Sequence, residues 1–259
     1  MFRIDQIAYN NSISGVHPVE KIAFATITLM IGIAFDTVLV PVTVFLLMSV
    51  SIIFLARVSA AFYLKLLSLP FTFLVVSMVA VIFNVSLTSF NYLFGGTLGS
   101  VYIGISAESL GEAAQLLFKA LGAVSCLYFL ALTTPMTEII NTLRKLKVPL
   151  LFLELMILIY RFIFLLLDTA GKIHLSQSSR WGYASIKTSY RSLATLIANL
   201  FSRAYWRSQS SYQALLSRGY SGDMQFLGVE YSRSYKNIML ILIIESALLS
   251  LGLYGRANI

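Results

Sequence analysis

The chain has 259 residues, of which 58% are hydrophobic and only 12% charged, with a formal net charge of +8. A soluble domain carries roughly 25% charged residues, so this composition leaves too little polar surface for a soluble fold and indicates an integral membrane protein. The single cysteine, Cys126, excludes an intramolecular disulfide and a thiolate metal cluster. The basic balance is explained by lipid headgroups and the cytoplasmic bias of loop charges, without nucleic acid.

The N-terminus, Met1-Phe2-Arg3-Ile4-Asp5, lacks the basic start, apolar core and small-residue cleavage site of a signal peptide. His17-Pro18 reads as a turn before a helix, with Pro18 at the start and Glu20 favoured by the positive end of the helix dipole. Five apolar runs follow as candidate spans: Ile22–Phe35, Thr37–Ala56, Leu66–Val85 with Pro70 near its start, Leu116–Leu132 interrupted by Lys119, and Asn237–Tyr254 containing Glu245. A span needs about 20 apolar residues, so the first helix is expected to begin earlier, near Val19. Leu66 to Ala107 holds no Asp, Glu, Lys or Arg. With the N-terminus inside, segments 1–21, 57–65 and 136–236 carry every basic residue except Lys119 and Arg256. The loop 86–107, with Gly95, Gly96 and Gly99, then faces out. The expected organisation is a membrane region over 1–135, a basic cytoplasmic region over 136–236 and a C-terminal span over 237–259.

The basic region reads as two long helices. In 150–180, after Pro149, Glu154, Arg161 and Asp168 recur every seven residues and form one polar stripe on an otherwise apolar helix. Asp168 and Lys172, four apart, can pair. Three charges in mid-span would each cost a few kcal/mol. This favours a helix lying against the membrane surface, with a transmembrane placement as the alternative. In 189–218, Leu193, Leu196, Ile197, Leu200 and Phe201 form an apolar face, and Arg203, Arg207, Ser211, Ala214 and Arg218 a basic one. A loop near Ser185–Ser189 is expected to join the two.

The helices end in similar phrases. The first is Ser179-Arg180-Trp181-Gly182-Tyr183; the second is Ser217-Arg218-Gly219-Tyr220. Arg offers a fork of donors suited to a carboxylate or to helix-end carbonyls, and Gly219 suits a C-cap with positive φ. Ordinary arginines following the positive-inside bias are the plainer reading.

At these residues the chain resembles the transmembrane T component of energy-coupling factor (ECF) transporters. Ser179-Arg180-Trp181 and Ser217-Arg218-Gly219 match the short motifs that end the coupling helices of that family. Trp181 departs from the commoner small residue. Ile4-Asp5-Gln6-Ile7-Ala8-Tyr9, His17-Pro18-Val19-Glu20-Lys21 and the Tyr160–Asp168 segment are similar to the cobalt/nickel branch, the CbiQ type. The resemblance implies an all-α polytopic protein with about five transmembrane helices and two long crossing cytoplasmic coupling helices, in a bacterial cytoplasmic membrane. It implies partners: two CbiO-like ABC ATPase subunits that dock on the two motifs, a metal-specific CbiM-like S component, and room for a small CbiN-like accessory subunit. It implies no cofactor and no catalytic residue of its own. The chain contains no phosphate-loop motif G-x-x-x-x-G-K-[ST].

His17 and His174 are the only histidines, and no cysteine or carboxylate is evidently placed beside either, so no metal site is expected. Two rival readings stay open: a T component of a vitamin-type ECF system, and a membrane-embedded enzyme using Glu154 and Glu245 as acids. The second lacks paired span aspartates, H-E-x-x-H and G-x-S-x-G.

The charge bias generates a topology test. In a Cys126→Ala background, Ser89→Cys should label with an impermeant thiol reagent on intact cells, and Ser210→Cys only after the cells are opened. Labelling of the Ser210→Cys variant from outside contradicts the orientation.

Overall fold

The computed structural model of the protein describes residues 2–35, 37–82, 84–86, 94–98, 101–220, 231 and 234–257. These contain nine α-helices: α1 (Phe2–Tyr9), α2 (Pro18–Ala34), α3 (Leu39–Val50), α4 (Ala60–Ile82), α5 (Ala107–Thr133), α6 (Met136–Lys145), α7 (Leu150–Ser179), α8 (Ile186–Leu216) and α9 (Tyr235–Ala257). A π-helical turn, Ser51–Leu55, continues α3. The all-α expectation holds for the body of the protein, with one addition. The loop read as an outward-facing, Gly-rich connection contains three short strands, β1 (Asn84–Ser86), β2 (Phe94–Leu98) and β3 (Val101–Ile105). They pair antiparallel in the order β1-β3-β2, with Gly95 opposite Gly104 and Asn84 also opposite Gly104. Positions 87–93 and 99–100 of that loop, Gly99 among them, lie outside the described residues.

Among the described residues, four helices are long and apolar enough to cross a membrane: Ala60–Ile82, Ser109–Thr133, Leu150–Ser179 and Tyr235–Gly255. The helix α2 has 17 residues, which at 1.5 Å per residue is about 26 Å, close to the thickness of a hydrocarbon core. Leu39–Leu55 is an apolar stretch of similar reach. The helix α4 begins at Ala60, six residues before the expected start at Leu66, so Lys65 lies inside it. The helix over 150–180 forms as expected and also meets the length and composition of a span, the placement kept as its alternative. Pro149 is its N-cap.

The chain divides into two compact units, Met1–Pro135 with Glu230–Ile259, and Met136–Val229. In the first, α5 packs against α1, α2, α3 and α4. Its buried residues Leu121, Cys126, Phe129 and Leu132 meet Phe24, Val44, Met48, Ile52 and Tyr63. Lipid chains are as apolar as these side chains, so close packing and polar contacts, not exclusion of water, hold such helices together. Gly122 shows the closeness: a Cβ there would sit 3.1 Å from the Pro41 carbonyl oxygen. Tyr128 Oη donates to the Leu66 carbonyl oxygen at 3.0 Å, tying α5 to α4. Thr28 Oγ1 lies 2.6 Å from Glu245 Oε1, tying α2 to α9, and both residues are buried.

Two side chains fix the N-terminal segment to the end of α5. Asn11 Nδ2 reaches the carbonyl oxygens of Ala8 at 2.7 Å and of Leu132 and Thr133 at 3.3 Å. Lys21, only 3% exposed, donates to the Thr133 carbonyl oxygen at 3.0 Å. A cation at a helix C-terminus meets both the orphan carbonyls and the negative end of the dipole. His17 behaves as read from the sequence: it is the N-cap of α2, its Nδ1 accepts from the Val19 N–H at 3.2 Å, and Pro18 opens the helix.

In the second unit, α6 packs on the start of α7 through Ile140, Leu153 and Ile157. The helix α8 packs on α7 yet contains no buried residue.

Candidate functional site

The two Ser-Arg phrases fold into the same structure. At the end of α7, Gly182 N–H donates to the Gln177 carbonyl at 2.9 Å and Trp181 N–H to that of Ser178 at 3.1 Å. At the end of α8, Tyr220 N–H donates to the Leu215 carbonyl at 3.1 Å and Gly219 N–H to that of Leu216 at 3.0 Å. Each is a Schellman motif, in which a left-handed residue turns the chain back onto the last orphan carbonyls. The left-handed residues are Trp181, φ 57°, and Gly219, φ 78°. Each stands directly after an arginine, so Arg180 and Arg218 occupy the same station in the two caps. The serines match as well: Ser179 Oγ donates to the Leu175 carbonyl at 3.0 Å, and Ser217 Oγ reaches that of Gln213 at 3.1 Å.

Both arginines are exposed, and neither guanidinium makes a hydrogen bond or ion pair among the described residues. Trp181 is 81% exposed. A left-handed residue other than glycine costs roughly 1–2 kcal/mol, which explains why glycine is usual here and makes Trp181 the unusual member of the pair.

The connection between the helices is Arg180–Ser185, not Ser185–Ser189. Ser185 is the N-cap of α8 in a capping box with Thr188, which draws Ile186–Ser189 into the helix. The turn is knitted by side chains. Gln177 Nε2 donates to the Ser192 carbonyl oxygen at 2.9 Å, Tyr183 Oη to Gln177 Oε1 at 2.8 Å, and Ser192 Oγ to the Gly182 carbonyl oxygen at 2.8 Å. A second tie sits at the other end of the pair, where Tyr220 Oη donates to Glu154 Oε2 at 2.9 Å. The two helices are therefore antiparallel partners. Between the ties lies a groove of about 640 Å³, lined by Leu155, Ile159, Phe162, Phe201, Tyr205 and Leu215 among others.

The expected polar stripe of α7 is not one environment. Glu154 is buried and bonded to Tyr220, with its Oε1 unpartnered among the described residues. Arg161 is exposed without a partner among the described residues. Asp168 is exposed and paired with Lys172 at 2.7 Å. The heptad spacing sets a face but not its depth. The Glu154–Tyr220 bond joins positions far apart in the chain, and no local pattern announces it. Glu154 and Glu245 belong to different units. Among the described residues, no three His, Cys, Asp or Glu side chains cluster in a way that could hold a metal ion.

Apolar helices of spanning length and a helix pair closed by two matched arginine caps define a multi-pass helical membrane protein. Residues 9–226 match the family described as cobalt transport protein, CbiQ, and the chain belongs to that family. The cobalt transport protein CbiQ of Salmonella typhimurium is 29% identical over 86% of this chain and 99% of its own length. A putative fused cobalt transport protein CbiMQ of Methanocorpusculum labreanum is 30% identical over 85% of this chain and 37% of its own. The energy-coupling factor transporter transmembrane protein EcfT of Staphylococcus aureus is 27% identical over 63% of this chain and 67% of its own. The protein is thus a transmembrane component of an ECF-type transporter.

The caps can be tested without any partner. At Gly219 an added Cβ meets nothing within 4 Å, so Gly219→Ala should cost about 1 kcal/mol from backbone conformation alone. At Gly182 a Cβ would stand 2.7 Å from Ser192 Oγ and 2.8 Å from the Gln177 carbonyl oxygen. Thermal unfolding in detergent should therefore rank Gly182→Ala below Gly219→Ala, and both below the wild type. The reverse order contradicts the knitted turn.

Proposed function

We propose that the chain is the coupling subunit of an ECF importer for cobalt or nickel ions. Its Arg180 and Arg218 caps seat two ABC ATPase subunits, one on each. Ser179 and Trp181 flank the first docking point, and Ser217 and Gly219 flank the second. The observation that carries this reading is the repetition. One chain holds two guanidinium forks at identical stations of two rigid caps, both exposed and without partners among the described residues. Two like subunits need two like seats. A guanidinium offers a carboxylate two parallel charge-assisted hydrogen bonds.

The apolar side of the helix pair supplies the second half of the device. Phe201, Tyr205, Leu155 and Ile159 are all exposed by about half or more. That face would act on a CbiM-like S component, which binds the metal and receives the motion of the ATPases through α7 and α8. The fused CbiMQ relative supports a partner of that type, because its name joins the two in one polypeptide. A CbiN-like accessory subunit fits the same assembly. The metal is cargo, ATP is hydrolysed on the partners, and the N-terminus lies on the cytoplasmic side with the two caps. Glu154 ties the helix pair through Tyr220, Asp168 pairs with Lys172 within α7, and neither takes part in chemistry.

Truncating one member of a buried, hydrogen-bonded charge pair at an interface costs roughly 2–5 kcal/mol. Arg218→Ala should weaken association with the ATPases by that much and reduce metal uptake accordingly, and Arg180→Ala should do the same. Both variants should insert and fold, because neither guanidinium holds a described residue in place. Co-purification and uptake by the reconstituted transporter check this. Normal transport by the double variant contradicts the docking role.

A further inference from the structure

The outer face of α8 carries a feature that docking does not use. Between Asp168 and Asp223 the chain contains no Asp or Glu, yet it holds Lys172, Arg180, Lys187, Arg191, Arg203, Arg207 and Arg218. At 100° per residue, Arg203, Trp206 and Arg207 fall within about 100° of one another. They lie opposite the groove-facing residues Phe201, Ala204, Tyr205 and Leu215. Trp206 is 67% exposed, and its indole packs only edge-on against Tyr205, with ring centroids 5.7 Å apart. Arg203 and Arg207 are exposed, and neither guanidinium makes a hydrogen bond or ion pair among the described residues.

We propose that this face, Arg203, Trp206 and Arg207, binds the headgroups of anionic phospholipids. Charge complementarity names the occupant. A helix without a single acid leaves two guanidinium forks uncompensated, and a phosphodiester accepts such a fork in bidentate geometry. The tryptophan sharpens the choice. An exposed indole amid arginines is poorly matched to water, but its apolar body and N–H suit the headgroup layer, where tryptophan concentrates. The helix α7, on which α8 packs, is itself long and apolar enough to cross a membrane. Each basic side chain held near an anionic membrane surface favours it about fivefold. The pair therefore selects strongly for anionic over zwitterionic lipid. Neither arginine belongs to the two caps, so the proposal stands apart from ATPase docking.

The chain has two tryptophans, Trp181 and Trp206, and Trp181→Phe leaves Trp206 as the single reporter. The full-length Trp181→Phe protein is reconstituted into phosphatidylcholine vesicles containing phosphatidylglycerol. In parallel samples, brominated acyl chains are carried by one lipid or the other. The expected result is stronger quenching of Trp206 by brominated phosphatidylglycerol than by brominated phosphatidylcholine at equal label. Arg203→Gln with Arg207→Gln should lose this preference, and Arg203→Lys with Arg207→Lys should keep most of it, since charge is retained. Matching Trp206 emission of the variants in detergent checks that the fold is intact. Equal quenching by the two lipids overturns the anionic-headgroup assignment. Absence of quenching by either, with emission at the wavelength of a water-exposed indole, overturns the lipid assignment and leaves the face to a protein partner.

Discussion

A long helix that ends in water must satisfy its last carbonyl groups, and in this protein one backbone device does so twice. A single left-handed residue, Trp181 or Gly219, folds the chain back onto the carbonyls of the final turn. The residue before it is thereby fixed at the tip of the helix, and in both cases it is an arginine. The side-chain ties follow from the same turns. The bonds among Gln177, Ser192, Gly182 and Tyr183 lock the first cap to the start of α8. The second cap brings Tyr220 back to Glu154. A force applied at either arginine therefore meets a stiff pair of helices and not a frayed end, which is what the proposed coupling requires.

The membrane unit solves a different problem. Apolar packing distinguishes poorly between a neighbouring helix and lipid, so position is set by small residues and by a few polar bonds. Gly122 lets α5 approach the backbone of α3. Thr28 with Glu245 and Tyr128 with the Leu66 carbonyl each join two helices at one height. Lys21 and Asn11 collect on the carbonyls that close α5. These contacts lie just before Pro135, where the first unit gives way to the second.

The sequence was informative wherever a local rule governs the structure. His17-Pro18 marked the start of α2, Gly219 announced a positive φ, and the apolar runs announced most of the helices. It was silent where a distant partner decides. Lys21 reads as one more basic loop residue, and only the fold shows it buried on the Thr133 carbonyl. Glu154 and Asp168 share a heptad face, yet one is buried by Tyr220 and the other stays in solvent. The likeness of the two Ser-Arg phrases was legible, but Trp181 concealed the positive φ of the first cap, because a large side chain does not advertise a left-handed backbone as glycine does. The placement of the α7–α8 turn was missed for a simpler reason: Ser185 and Thr188 form a capping box that pulls the helix start forward.

The central claim is that the two caps are equivalent seats for two ATPase subunits. Its most direct test places a photoactivatable p-benzoylphenylalanine at Trp181, next to Arg180, or at Leu216, two residues before Arg218, both exposed. The transporter is then assembled in membranes and irradiated. The account predicts a covalent adduct with an ATPase subunit from each position. Adducts from only one position, or only with other membrane subunits or lipid, contradict it.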